Sequence, residues 1–128
     1  MLALYKHQEK TGNSDFNMLE YVYNKIGRGK QKEKIIFHKI DDSLMLYGCE
    51  MANHGHLGIN GARGNPKSFR VLGLPVNTGH THTPSIFGKV YTSGVSSNLE
   101  MGYNHGASSW AYCHILTYTN GQRQLIFS

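Results

Sequence analysis

"WAYCHILTYTNGQRQLIFS", residues 110–128, sets two runs rich in β-branched and apolar residues on either side of Asn120-Gly121. That dipeptide favours a type I′ turn, because both central residues need positive φ, so the stretch predicts an antiparallel hairpin. Trp110, Tyr112 and Tyr118 recur at even spacing on one face of its first strand, which predicts a sheet-packing role for them. Moving upstream, "GKVYTSGVSS" (88–97) reads as a further strand, and "PKSFRVLG" (66–73) as a short helix with proline in its first turn and a glycine stop. "KIIFHKI" (34–40) and "SLMLYGCEM" (43–51) read as an antiparallel pair turning at Asp41-Asp42.

At the N-terminal side, Asn13, Ser14 and Asp15 are helix-start residues. Phe16, Leu19, Val22, Tyr23 and Ile26 then recur at three- and four-residue steps until Gly27 and Gly29. This predicts a helix over 15–27, with an apolar stripe wide enough to lie on a sheet and residues 1–14 as a flexible segment ahead of it. "RGKQKEK" (28–34) reads as a solvated connection. The expected fold is one α/β (α+β) domain spanning residues 1–128. It has a mainly antiparallel sheet, one longer and one short helix, and two histidine-bearing loops at strand ends.

Composition narrows the function classes. Charged residues are 16% of the chain, below the usual quarter, whereas 15 glycines and eight histidines among 128 residues point to shaped loops that carry a site. The formal charge of +5 favours anionic partners such as phosphate esters or nucleic acid. Cys49 and Cys113 lie in apolar stretches without CxxC spacing, so buried free thiols are expected rather than a disulfide framework or a thiolate zinc knuckle. The apolar run in "MLALYKHQEK" is too short for a signal peptide, and no segment approaches the about 18 apolar residues of a membrane span. A soluble, cytoplasmic protein with no membrane partner is expected.

The chemistry-bearing pattern is a pair of H-x-H clusters, His54-Gly55-His56 and His80-Thr81-His82, set among small residues that let the backbone bend sharply. Neutral imidazole is a common ligand for zinc, iron, nickel, cobalt or manganese, and two such pairs within thirty residues suggest a metal centre. Carboxylates are scarce: the chain holds eight Asp and Glu, and Glu50 is the nearest to the first cluster. A dinuclear phosphoester-cleaving site needs bridging carboxylates to hold its cations, and one glutamate does not provide them. Arg63 is a candidate for gripping a phosphate or for fixing its loop. Asn60 and Asn104 are candidates for substrate contact or for ordinary turn chemistry. A closed four-histidine structural zinc site is a further reading of the same clusters.

"NHGHLGINGARG" (53–64) followed by "VNTGHTHTPSIFGKVYTSGVSSNLEMGYNHGASSW" and the terminal hairpin (76–128) resembles the C-terminal half of calcineurin-like metallophosphoesterases of the bacterial and bacteriophage type. The resemblance implies half of a two-sheet sandwich and a site for two divalent metal ions. In that site His54 and His80 would bind the second metal and His82 the first, with His56 as a supporting or substrate-contacting residue. The family's D-x-H, GD-x-x-D and GNH-[DE] motifs, which supply its bridging aspartate and catalytic histidine, do not occur in residues 1–53.

Two readings follow. In one, this is the C-terminal part of a split or truncated phosphoesterase, acting on phosphomonoesters, phosphodiesters or nucleic acid once a complementary N-terminal chain provides the aspartates. A phage-encoded enzyme of this kind would work in the cytoplasm of the bacterial host. In the other, it is a degenerate, non-catalytic module used for binding or assembly. An isolated half would expose sheet edge and apolar face, so both readings expect a partner chain or a homo-oligomer.

Overall fold

A computed structural model describes residues 42–128; the helix expected over 15–27 and the strand over 34–40 lie outside the described residues. The described part is built mostly of strands, with two 3-10 turns, so the coarse class is α+β to mainly β. Among the described residues seven strands form two sheets. The first holds β1 (Met45–Leu46), β2 (Cys49–Glu50), β3 (Val76–Thr78), β4 (Ser85–Phe87) and β5 (Val90–Thr92) in the order β1-β2-β3-β5-β4. The second pairs β6 (Cys113–Thr117) with β7 (Arg123–Phe127).

The mainly antiparallel expectation needs correction at the centre of the larger sheet, where β2, β3 and β5 run mutually parallel. Parallel neighbours require long crossovers. Here the β2-to-β3 crossover is the glycine-rich histidine loop plus the 3-10 turn Ser68–Leu72, which replaces the expected short helix and ends at Gly73 in the left-handed conformation. β1 and β4 flank this parallel core as antiparallel edge strands.

The stretch 43–51 is a hairpin and not one strand. Leu46 pairs with Cys49 across Tyr47 (φ 52°) and Gly48 (φ 75°), so both central residues take the positive φ of a type I′ turn. Tyrosine rarely adopts that conformation, which is why the apolar run reads as continuous. At the terminal hairpin the strands form as expected, from Cys113 opposite Phe127 to Thr117 opposite Arg123. Its turn differs in type. Asn120 keeps negative φ and Gly121 alone is positive (81°), while Gly121 N donates to Tyr118 O (2.9 Å) and Tyr118 N to Gln122 O (2.8 Å). This is a three-residue loop with a glycine bulge. The expected shared packing face also fails, since Tyr112 and Tyr118 are exposed and Trp110 lies ahead of β6.

The core is small: Cys49, Phe69, Val76, Val90, Val95 and Cys113 are buried, together with Thr78 and Thr92. The two threonines satisfy each other, with hydroxyl oxygens 3.0 Å apart. Cys49 and Cys113 are free thiols as the sequence implies, and burial pushes the Cys113 thiol up, keeping it protonated and unreactive.

The sheets are joined by main-chain bonds from Gly94 N to Cys113 O (2.9 Å) and Val95 N to Ala111 O (3.0 Å), by Asn77 Nδ2 donating to Thr117 Oγ1 (3.2 Å), and above all by Arg123. Arg123 on β7 donates to Val76 O (2.9 Å), Asn77 Oδ1 (2.9 Å) and Lys89 O (2.7 Å), and its guanidinium lies 4.2 Å from the centre of the Tyr91 ring. Removing the guanidinium loses three charge-assisted bonds at once, two of them part-buried. Arg123→Ala is therefore expected to lower stability by about 2–3 kcal/mol. Arg123→Lys should recover little of it, because a single ammonium does not reproduce a planar fork. Urea-unfolding midpoints of the two variants check this; full recovery by lysine would show that charge alone matters.

Candidate metal centre

The three parallel strands deliver their carboxyl ends to one edge of the sheet. β2 runs into Met51–His56, β3 into Gly79–His82 and β5 into Ser93–Gly94. Loops at the carboxyl ends of parallel strands are where open sheets place ligands. Both histidine clusters lie on such loops.

The loops are tied together through the main chain. The carbonyl of His54 accepts from Gly79 N (3.1 Å) and from His80 N (3.0 Å), so the first cluster holds the second by its backbone. Gly55 is buried at φ 91°, with Thr78 and the Phe69 ring packed where a side chain would start. Gly64 N donates to His56 O (2.9 Å), and the Gly64 backbone lies so close to Gly55 that a Cβ there would overlap the Gly55 carbonyl. Leu57 bridges Arg63 across a tight loop in which Asn60 takes the left-handed conformation (φ 57°) and Gly58 N donates to Ala62 O (2.6 Å). The "HGHLGINGARGN" stretch is thus a folded-back loop whose glycines permit the close approach that presents its histidines.

Three of the four clustered histidines face one another. Ring centres are 5.3 Å apart for His54 and His80, 5.7 Å for His54 and His56, and 6.2 Å for His56 and His80. Desolvation, and then the potential positive charges of His80, His56 and His82, push the His54 pKa down, favouring the neutral imidazole that a metal ion requires. His82 sits apart, at φ 59°, with its ring edge-to-face against Trp110 at 4.3 Å and its buried Nδ1 without a hydrogen-bond partner.

Among the described residues, no group of three or more His, Cys, Asp or Glu side chains is arranged to hold a metal ion. His54 and His56 line a cleft of about 260 Å³ together with Asp42, Glu50, Ala52, Asn53 and Leu57. Glu50, the carboxylate the sequence placed nearest, is engaged locally: the Ser43 hydroxyl and the amides of Leu44 (3.2 Å) and Ala52 (2.8 Å) donate to it. Burial would raise the Glu50 pKa, but these hydrogen bonds and one from Met51 outweigh it and hold the group below the usual carboxylate value of 4.5.

A depressed carboxylate pKa stabilises the fold above the unfolded-state value, and that contribution is lost as pH falls through the lower folded-state value. Glu50→Gln is therefore expected to flatten the loss of stability below about pH 4.5, a window set by the ordinary carboxylate pKa. Urea midpoints measured from pH 6 to 3 would check it, and an unchanged acid limb would rule out this role for Glu50.

The other sequence candidates are placed as follows. Arg63 and Asn60 are exposed on the folded-back loop. Asn104 is occupied by its own loop, accepting from Met101 N (2.8 Å) and donating to Leu99 O (2.5 Å), which is turn chemistry. Sequence reasoning missed Gly64 and Gly79, whose roles are main-chain approach and donation, and Arg123, whose partners are distant carbonyls that leave no local pattern.

No protein-family profile matches the chain, and no solved structure is similar to it. The chain is similar to Protein A1 of Escherichia phage T5. The two are 55% identical over 111 residues, covering 87% of this chain and 19% of Protein A1. This chain therefore spans about a fifth of that curated relative's length. The stretch similar to Protein A1 covers most of this chain, and the rest of the phage protein has no counterpart here. No helix among the described residues is long and apolar enough to cross a membrane.

Proposed function

We propose that this chain carries the histidine half of a metallophosphoesterase site. His54 and His80 contribute to one divalent cation and His82 to another, and carboxylates from a complementary chain or region complete the set. The observation that carries this reading is the shared His54 carbonyl, which fixes two H-x-H loops side by side at the carboxyl ends of parallel strands. A divalent ion, whether manganese, zinc, iron, nickel or cobalt, would polarise the phosphoryl oxygens and activate water for hydrolysis. The chain's own part is to hold neutral imidazoles in place, with His56 beside them and Arg63, further along the His54–His56 loop, able to grip a phosphate. Protein A1 is several times longer than this chain, which accords with a site completed by further polypeptide.

The test is to purify the chain from its own source with whatever accompanies it, then measure native mass, metal content and hydrolysis of aryl phosphodiester and DNA with added manganese. A heavier, metal-loaded, hydrolytic complex is expected. A metal-free homo-oligomer with no hydrolysis would overturn the reading. It would favour the binding-module alternative, to which the lack of a group of three side chains arranged to hold a metal among the described residues lends weight.

A further inference from the structure

Beyond the histidine loops, the segment Leu99–Trp110 encloses a second cleft of about 400 Å³, lined by Leu99, Glu100, Asn104, His105, Ser108 and Trp110 among others. We infer that this cleft is a nucleobase subsite with Trp110 as its stacking wall, so that the phosphoester cleaved at the histidine loops is a nucleotide or a nucleic-acid strand. The inference rests on the phosphoesterase reading for the phosphate end only.

Four observations carry it. The Trp110 ring packs edge-to-face against His82 at 4.3 Å, which sets the cleft one ring away from the second histidine cluster. Trp110 also meets Tyr103 edge-to-face at 5.6 Å, and Tyr103 is 67% exposed while Trp110 is half-buried, so the aromatic pair reaches the surface through Tyr103. Such pairs bind bases through their π-faces, at about 1–3 kcal/mol per base, with little regard to sequence. The volume falls within the range of about 300–1,000 Å³ typical of small-molecule sites and suits one nucleoside.

The lining also sorts the two ends of a nucleotide. Glu100 repels phosphate but accepts hydrogen bonds from a base's N–H groups, such as the N3–H of thymine, and Ser108 and His105 add further polar edges. The phosphate is thereby directed away from the cleft and toward the imidazoles, in a chain whose formal charge of +5 already attracts polyanions. The Asn104 amide is consumed by Leu99 and Met101, so it builds the wall of the cleft and leaves recognition to its neighbours.

Trp110 is the single tryptophan of the chain, so its fluorescence reads the cleft directly. With chelator present, to remove any dependence on metal, the chain would be titrated with thymidine monophosphate, an eight-residue thymidine oligonucleotide and ribose 5-phosphate. Quenching by the first two and none by ribose 5-phosphate is expected. An oligonucleotide bound ten times more tightly than the mononucleotide would identify a strand as the source, and equal affinities a free nucleotide. Tyr103→Ala, a change at an exposed side chain, should weaken both by about tenfold, which corresponds to about 1.4 kcal/mol. Equal quenching by ribose 5-phosphate, or no quenching by any of the three, would overturn the subsite. Quenching without hydrolysis in the complete complex would leave the subsite standing and remove the phosphoesterase reading. Hydrolysis of base-free phosphoesters without quenching would do the reverse.

Discussion

Gly64→Ala is expected to abolish divalent-metal binding although Gly64 meets His56 only through the main chain. A Cβ at position 64 would occupy the place of the Gly55 carbonyl oxygen and crowd the His56 carbonyl carbon. Backbone cannot yield as a side-chain end can, so the folded-back loop must leave Gly55, and the His54-Gly55-His56 segment loses its support. Overpacking of this kind costs about 1–3 kcal/mol and more where backbone collides. The described residues bury few large side chains, and a loss of about 3 kcal/mol is a large share of a small domain's stability. Gly61→Ala is the matched control. Gly61 has positive φ (75°) but open space around its Cβ position, so it carries only the left-handed penalty of about 1–2 kcal/mol. Zinc titration by calorimetry, beside thermal unfolding, separates the two. If both variants lose the same stability and keep the same zinc affinity, the Gly64–Gly55 approach does not hold the loop.

The second large effect concerns the imidazoles. His54→Ala and His80→Ala should each reduce zinc affinity at least a hundredfold, since each would remove a donor, beyond the about 10–100-fold typical of losing a supporting partner. His56→Ala, the supporting position, should fall within that smaller range. His82→Ala should also release the Trp110 ring, shifting its fluorescence, because the two rings touch at 4.3 Å. Circular dichroism and urea midpoints should stay near those of the parent for His54→Ala and His80→Ala, whose rings lie outside the buried core. Retention of zinc affinity by both would show that these histidines are not ligands.

The terminal hairpin was legible because its signal is local: two apolar runs and an Asn-Gly between them suffice to place β6 and β7. The turn type was not, since whether Asn120 or only Gly121 takes positive φ depends on the register that Tyr118 and Gln122 adopt. Tyr47-Gly48 hid a complete turn, because tyrosine there adopts a conformation its type rarely takes. The parallel core was invisible for a different reason. β2, β3 and β5 are two or three residues long, too short for alternation to register, and their pairing is set by crossovers instead of by neighbouring sequence. At the site, the H-x-H pairs identified both loops. Spacing alone did not show that His82 would turn toward Trp110 while His54, His56 and His80 face one another. Nor could it show that Glu50, for all its proximity in sequence, would be taken up by Ser43, Leu44 and Ala52.

The His54 carbonyl has two lone pairs, and both are used, one by each amide of the Gly79-His80 step. Neither loop can fray alone without stranding a polar group of the other: two amides if the first loop leaves, the His54 carbonyl if the second does. Local opening in this part of the molecule is therefore a single cooperative event, in which the two histidine clusters are released together or remain closed together.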